Sequence, residues 1–284
     1  MKIGYFGTGI MGQLDLADFA RWGKENGFGE INVPWNRDDA RAIADQSGLE
    51  IWSTYGQAAQ PITGDDRERE IQIAQGRHAL DLAAKQGIPT VQFGHRKDTR
   101  VGGRDNLELF RLGFEPLARY AEQVGVKIVF ENYPARGNNL AITPELWDAM
   151  FEAVPSPALG ICMDPSHLVW LGIDYLRATR DFRDRVYHAH AKDTEFLADG
   201  SYRYGIFGAQ LDVPVGAPAH WWRYRLPGYG VVDWPAFIST LAEIGYDGPL
   251  TIEHEDDVWG WRTDAERAKR GLILARQFLE TYVV

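Results

Sequence analysis

The chain has 284 residues, 45% of them hydrophobic, enough for a sizeable core and close to the roughly 250 residues of one (β/α)8 barrel. Its 40 acidic and 30 basic side chains leave a net charge of -10, which argues against a nucleic-acid partner, because phosphate binding is driven by clustered Lys and Arg. No apolar run is long enough to span a membrane, the start carries no signal-like stretch, and the lone Cys162 cannot form an intramolecular bridge; a soluble cytoplasmic protein is expected.

From the start, short apolar runs alternate with longer amphipathic ones. The expected strands are residues 2–7, 28–34, 49–54, 88–94, 126–131, 158–164, 185–190 and 249–253. Between them, Leu107, Phe110, Phe114, Leu117, Ala121 and Val124 are spaced three and four apart, as are Ala265, Ala268, Leu272, Ala275 and Leu279. Each set is one apolar helix face. Glycines at 27, 48, 87, 125 and 245 fall between a helix and the next strand, where a left-handed cap is needed. Thr143-Pro144 and Asp233-Trp234-Pro235 read as helix starts, a capping oxygen followed by proline in the first turn.

Eight strands alternating with helices, and no composition break, predict one α/β domain over 1–284, a closed (β/α)8 TIM barrel. One connection breaks the rhythm. The span at about 194–232 is far longer than the few residues usual for a βα loop, and it carries Phe196, Tyr202, Tyr204, Phe207, Trp221, Trp222, Tyr224 and Tyr229. In a barrel such a loop lies on the catalytic face, so a lid, a substrate wall or an oligomer contact is expected there.

Gly7-Thr8-Gly9-Ile10-Met11-Gly12 fits the dinucleotide fingerprint G-x-G-x-x-G, and its continuation to Arg37 resembles the opening of NADP-binding hydroxyacid dehydrogenases. That match ends after about 40 residues and leaves the acidic groups of the later strands without a role. Those groups carry the stronger signal. Glu131, Asp164, His190 and Glu253 end four consecutive expected strands, whose ends converge in a closed barrel. Three crowded carboxylates bind protons unless a cation compensates, and three oxygens with one imidazole suit Mn²⁺, Mg²⁺ or Co²⁺, not a thiolate zinc site. Singly, each residue reads as a cap, a turn or a core histidine; together they read as a metal centre. His167 is a fifth ligand or a substrate contact, and His188 shares the strand face of His190. Lys192 and Arg225 are candidates to anchor substrate.

Phe130-Glu131-Asn132, Asp164-Pro165-Ser166-His167, His190-Ala191-Lys192-Asp193, the run from Leu226 to Trp234 and the run from Gly248 to Asp256 together resemble the sugar phosphate isomerase/epimerase family, the xylose isomerase-like barrels. The resemblance implies that Glu131, Asp164, His190 and Glu253 ligate a divalent ion, Mn²⁺ foremost. It also implies that Glu131 and Glu253 act as an acid/base pair, that His167 holds a substrate oxygen, and that the protein is a dimer or tetramer. DNA-repair barrels of the endonuclease IV type share the scaffold but use a richer histidine set; this chain has seven histidines in all. The expected reaction is proton abstraction next to a carbonyl of a keto-sugar through a metal-bound enediolate, ending in isomerisation or epimerisation. The alternative from the same first step is β-elimination, a lyase or hydratase acting on 3-keto-glycosides. An NADP-dependent oxidoreductase ranks below both.

Overall fold

The computed structural model describes residues 1–206 and 221–283. Seven parallel strands follow the order Glu30–Ile31, Ile3–Tyr5, Leu250–Ile252, Val186–Ala191, Leu159–Met163, Lys127–Glu131 and Thr90–Gln92. The expected third strand closes the ring between the two ends of that sheet. Glu50 bridges Glu30, Ser53 bridges Thr90, and Val33–Pro34 pairs in parallel with Thr54–Tyr55. Eight chain segments thus complete the (β/α)8 barrel, each at the place the alternation predicted.

The local signals act as chemistry requires. Thr143 caps the helix Pro144–Ala153 by accepting from the Leu146 amide, and Asp233 does the same for Trp234–Glu243 through Ala236. The five expected cap glycines all have positive φ. The apolar face beginning near Leu107 belongs to the helix Gly103–Val124, whose Phe110 and Phe114 pack on Phe130 of the neighbouring strand at ring-centroid distances of 5.8 and 4.9 Å. That packing fixes the strand that ends in Glu131.

The glycine fingerprint has a packing role at the barrel seam. Residues Gly9–Gln13 form a 3-10 turn, and the strand before it pairs with the eighth strand as well as the second, unlike the first strand of a dinucleotide fold. Gly9 has φ +55° and abuts Trp261, where a Cβ would lie 2.3 Å from the Trp261 carbonyl oxygen. The Trp261 indole donates to Thr8 Oγ1 at 3.0 Å, and Thr8 in turn donates to the His254 carbonyl at 2.5 Å.

The long connection holds structure that periodicity did not announce. Asp193–Phe196 pairs antiparallel with Trp222–Arg225, and Ala198–Tyr204 is a short helix. Phe207, part of the aromatic series, lies outside the described residues. Asp193 organises the return of the chain, accepting from the amides of Thr194, Gly228, Gly230 and Val232 and from the Trp234 indole. The run from Leu226 to Trp234 is therefore wrapped around one buried carboxylate.

A second buried carboxyl inside the barrel has a different environment. Glu30 accepts from Thr251 Oγ1 at 3.0 Å and from the Trp52 amide at 3.3 Å, above Gly4, where any Cβ would collide with it. Burial pushes its pKa up from 4.5 to about 8, more than those two bonds offset. The folded chain thus holds this proton to higher pH than the unfolded chain. The contribution to stability is complete below pH 4.5 and is lost as pH rises through 8, an amount on the order of 5 kcal/mol. Glu30→Gln removes the ionisation. Its urea midpoint, relative to the native chain, is expected to improve steadily from pH 5 to pH 9; parallel profiles would show that Glu30 does not titrate in that window.

Candidate active site

Glu131, Asp164, His190 and Glu253 arrive from four adjacent barrel positions, and each offers one ligand atom within 4.8 Å of all the others. Each is held by its own local device. Asn132 clamps the backbone of Asp164 across the strands, donating to its carbonyl and accepting from its amide, both at 2.8 Å. Asp164 also caps the helix Pro165–Leu171: its Oδ1 accepts from the Ser166 amide at 2.8 Å. That leaves Oδ2 for the site. Although two cationic or protonatable groups lie near Oδ2, Lys192 Nζ at 3.2 Å and His167 Nε2 at 3.4 Å, none of the described residues forms a hydrogen bond with this fully buried oxygen.

Glu131 is oriented from the fourth strand. Gln92 donates to Glu131 Oε2 at 2.9 Å, and His95 Nε2 bonds the Glu131 carbonyl at 2.8 Å while His95 Nδ1 accepts from the amides of Leu140 and Ala141. Of the two strand histidines, His190 is the one beside Glu131 and Glu253. Its Nδ1 lies 3.3 Å from both Glu131 Oε1 and Glu253 Oε2, whereas His188 Nε2 pairs with Asn32 at 3.0 Å, one layer deeper. Cys162, His188 and His190 form a second close triplet, softer in its ligand set and sharing His190. Cys162 is a free, buried cysteine, and burial raises its thiol to about 12.

His167 Nε2 stands 3.3 Å from Glu131 Oε1, and its Nδ1 pairs with the Tyr224 hydroxyl at 2.9 Å. Lys192 is also here, fully buried, with Nζ at 2.5 Å from Glu253 Oε2, 3.2 Å from Glu255 Oε2 and 3.7 Å from Glu131 Oε1. Arg225 differs from the expectation for a substrate anchor. Its guanidinium is committed to Asp256, at 2.8 Å, and to Glu195, and it makes no ion pair with Glu131, Asp164 or Glu253. Tyr224, Glu255, Gln92 and His95 were not anticipated as site neighbours. Tyr224 belongs to the aromatic series and Glu255 to the run from Gly248 to Asp256, whereas Gln92 and His95 lie outside the quoted motifs.

The electrostatics follow from one cation among several acids. Burial raises the Glu131 and Asp164 pKa values, but Lys192 and the nearby imidazoles outweigh it and hold both below the usual carboxylate range. For Glu253, burial and the Glu131 charge win over Lys192, and its pKa is raised. His190 loses to burial but gains more from Cys162, Glu131 and Glu253, and is held well above its ordinary value.

The donor set fits a divalent ion. An octahedral ion at about 2.0–2.2 Å from each ligand spaces its donors at about 3–4.4 Å, close to the 4.8 Å limit observed here, and Asp164 Oδ2 accepts no hydrogen bond from the described residues. Three oxygens and one nitrogen suit a hard or borderline ion.

Residues 8–278 match the family described as xylose isomerase-like TIM barrel. The chain belongs to that family. Among curated relatives, the uncharacterised protein YfiH of Bacillus subtilis is 32% identical over 165 residues, spanning 55% of this chain and 50% of YfiH. The inosose dehydratase of Lacticaseibacillus casei is 28% identical over 154 residues, 54% of this chain and 48% of that protein. The chain thus spans about half the length of the curated relatives it matches. Among solved xylose isomerase-like barrels, the 3-keto-D-glucoside 4-epimerase YcjR from E. coli superposes with a TM-score of 0.75 at 17% identity over 99% of both chains. The D-psicose 3-epimerase of Clostridium cellulolyticum H10, solved with D-tagatose, gives 0.73 at 16% identity over 100% of this chain and 99% of that one. At these identities the two structures support the family's fold. Among the described residues, no helix is long and apolar enough to cross a membrane.

Proposed function

We propose that this barrel is a divalent-metal-dependent isomerase or epimerase of a keto-sugar or sugar derivative. The observation that carries the reading is the convergence of Glu131, Asp164, His190 and Glu253 within 4.8 Å at four strand ends, beside a buried His167 and Lys192. The names of similar proteins agree: a keto-glucoside epimerase, a psicose epimerase, and the IolI protein with a bound zinc atom. Mn²⁺ is our choice of ion on the oxygen-rich donor set, with Mg²⁺ and Co²⁺ next.

When bound, the ion supplies electrostatic stabilisation for negative charge developing on a substrate carbonyl oxygen. The chain's own groups do the rest. Glu253 takes a proton from the carbon next to the carbonyl, and Glu131, which first takes a proton from solvent, delivers it to the opposite face or to the neighbouring carbon. His167 holds a substrate hydroxyl through Nε2, its ring set by Tyr224 at Nδ1. We assign the described part of the aromatic insert, 194–206 and 221–232, to a substrate wall on one barrel domain spanning 1–284, since its Tyr224 reaches both His167 and the Lys192 ammonium. A carbohydrate substrate, a cytoplasmic location and a dimer or tetramer complete the reading.

A second reading has its own support: several similar proteins are inosose dehydratases. Removal of the same proton with loss of a β-leaving group makes the site a lyase or hydratase, on 3-keto-glycosides for instance. One assay separates the two. Mn²⁺-loaded protein in D₂O is incubated with a panel of ketoses, 3-keto-glucosides and inososes and followed by NMR. Deuterium entering beside the carbonyl with the skeleton intact establishes an isomerase or epimerase, and release of water or an aglycone establishes the lyase. Exchange with none of the panel counts against both.

A further inference from the structure

Lys192 occupies a position that a simple substrate anchor would not need. Its Nζ is within 4 Å of four carboxylates, those of Glu131, Asp164, Glu253 and Glu255, and three of these belong to the proposed ligand set. The ammonium donates to Glu253 Oε2 at 2.5 Å and to Glu255 Oε2 at 3.2 Å. It therefore bridges the ligand ring to one acid outside it. Its charge also faces the Tyr224 ring, 4.6 Å from the centroid. Glu255 and Tyr224, neither of them in the ligand set, give the ammonium a second pair of partners favourable for a cation. Asp164 Oδ2, inside the ring, receives no hydrogen bond from this ammonium despite the 3.2 Å separation.

A divalent ion would take one oxygen at about 2.0–2.2 Å from each of Glu253, Asp164 and Glu131, three of the carboxylates that surround Nζ. Two cations held this close to the same three carboxylates repel each other strongly. We propose that Lys192 is a resident counter-cation that exchanges with the metal ion, leaving the ligand ring for the Glu255 and Tyr224 seat as the ion enters. The inference rests on the metal reading given above, and deepens it. The exchange gives the buried acids a partner whichever cation is present, and it sets metal affinity below what the four ligands alone would give. It also carries the ammonium to a place beside the substrate wall only when the ion is in the ring.

The test is binding of Mn²⁺ alone, read by the EPR signal of the free ion, on the native chain, Lys192→Met, Glu255→Gln and the double variant. Lys192→Met is expected to bind Mn²⁺ at least about 30-fold more tightly than the native chain, because the competing charge is gone. Without metal it should melt at a lower temperature than the native chain, and Mn²⁺ should raise its melting temperature by more. Glu255→Gln removes the second seat, so it should weaken Mn²⁺ binding about tenfold in the native background and less than twofold beside Lys192→Met. Glu255→Gln keeps the Lys192 to Glu253 pair, so its result stands even where Lys192→Met folds poorly without metal. Native chain that binds Mn²⁺ with Lys192→Met binding no tighter overturns the exchange alone, as does equal weakening by Glu255→Gln in both backgrounds. No saturable Mn²⁺ binding by native chain or variants overturns the metal reading itself.

Discussion

Glu253→Gln, saturated with Mn²⁺, is expected to lose at least about a thousandfold in deuterium exchange and turnover, equivalent to about 4 kcal/mol of transition-state stabilisation. The amide keeps the volume of the side chain and, before the ion enters, can still accept from Lys192, which donates to Glu253 Oε2 at 2.5 Å. It cannot hold the abstracted proton. A fold effect is separated by the melting temperature, which should fall by only a few degrees, since removing one of several crowded buried acids also relieves repulsion from Glu131. Saturation with Mn²⁺ matters because Glu253 is also a proposed ligand, and weaker binding would otherwise mimic lost chemistry. Activity within tenfold of native would move the base to another group and sink the assignment of Glu253.

Stripping the ion should be as damaging as removing the base. Treatment with a chelator followed by dialysis is expected to abolish activity, with Mn²⁺ restoring most of it and Ca²⁺ little, because Ca²⁺ prefers more ligands at 2.3–2.6 Å as a general rule. Asp164→Asn adds a residue-level check. Asp164 Oδ1 caps a helix and Oδ2 faces the site, so the amide can keep the cap while losing the charge. Mn²⁺ affinity should drop at least about a hundredfold, with activity recovering partly at high Mn²⁺. Retention of full activity after exhaustive chelation, with no metal left by elemental analysis, would contradict the metal-dependent reading.

Parts of this arrangement are visible in the chain itself because they depend on near neighbours. Helix faces, cap residues and the alternation of short and long apolar runs are local patterns, and the strand ends at Glu131, Asp164, His190 and Glu253 could be placed from them. The strands themselves are shorter than the apolar runs suggested. Residues 28–34, for example, yield Glu30–Ile31, paired with the first strand, and Val33–Pro34, paired with Thr54–Tyr55. The glycine fingerprint shows the limit of local reading. The same spacing that approaches a pyrophosphate in one fold here lets Gly9 lie against Trp261, a residue some 250 positions away.

What the sequence by itself determined was the repeating strand and helix order, the carboxylates and imidazole at the strand ends, and a net charge of -10. Only the tertiary structure decided which groups meet. It chose His190 over His188, tied Arg225 to Asp256 and Glu195, and brought Glu255, Gln92, His95 and Tyr224 around the site. It also put the Lys192 ammonium among four acids drawn from three strand ends and the loop beyond the last. The physical reason is that periodicity encodes which face of an element is buried, while closure of the barrel fixes distances between side chains far apart in the chain. Charge pairing and hydrogen bonding depend on those distances to within an ångström.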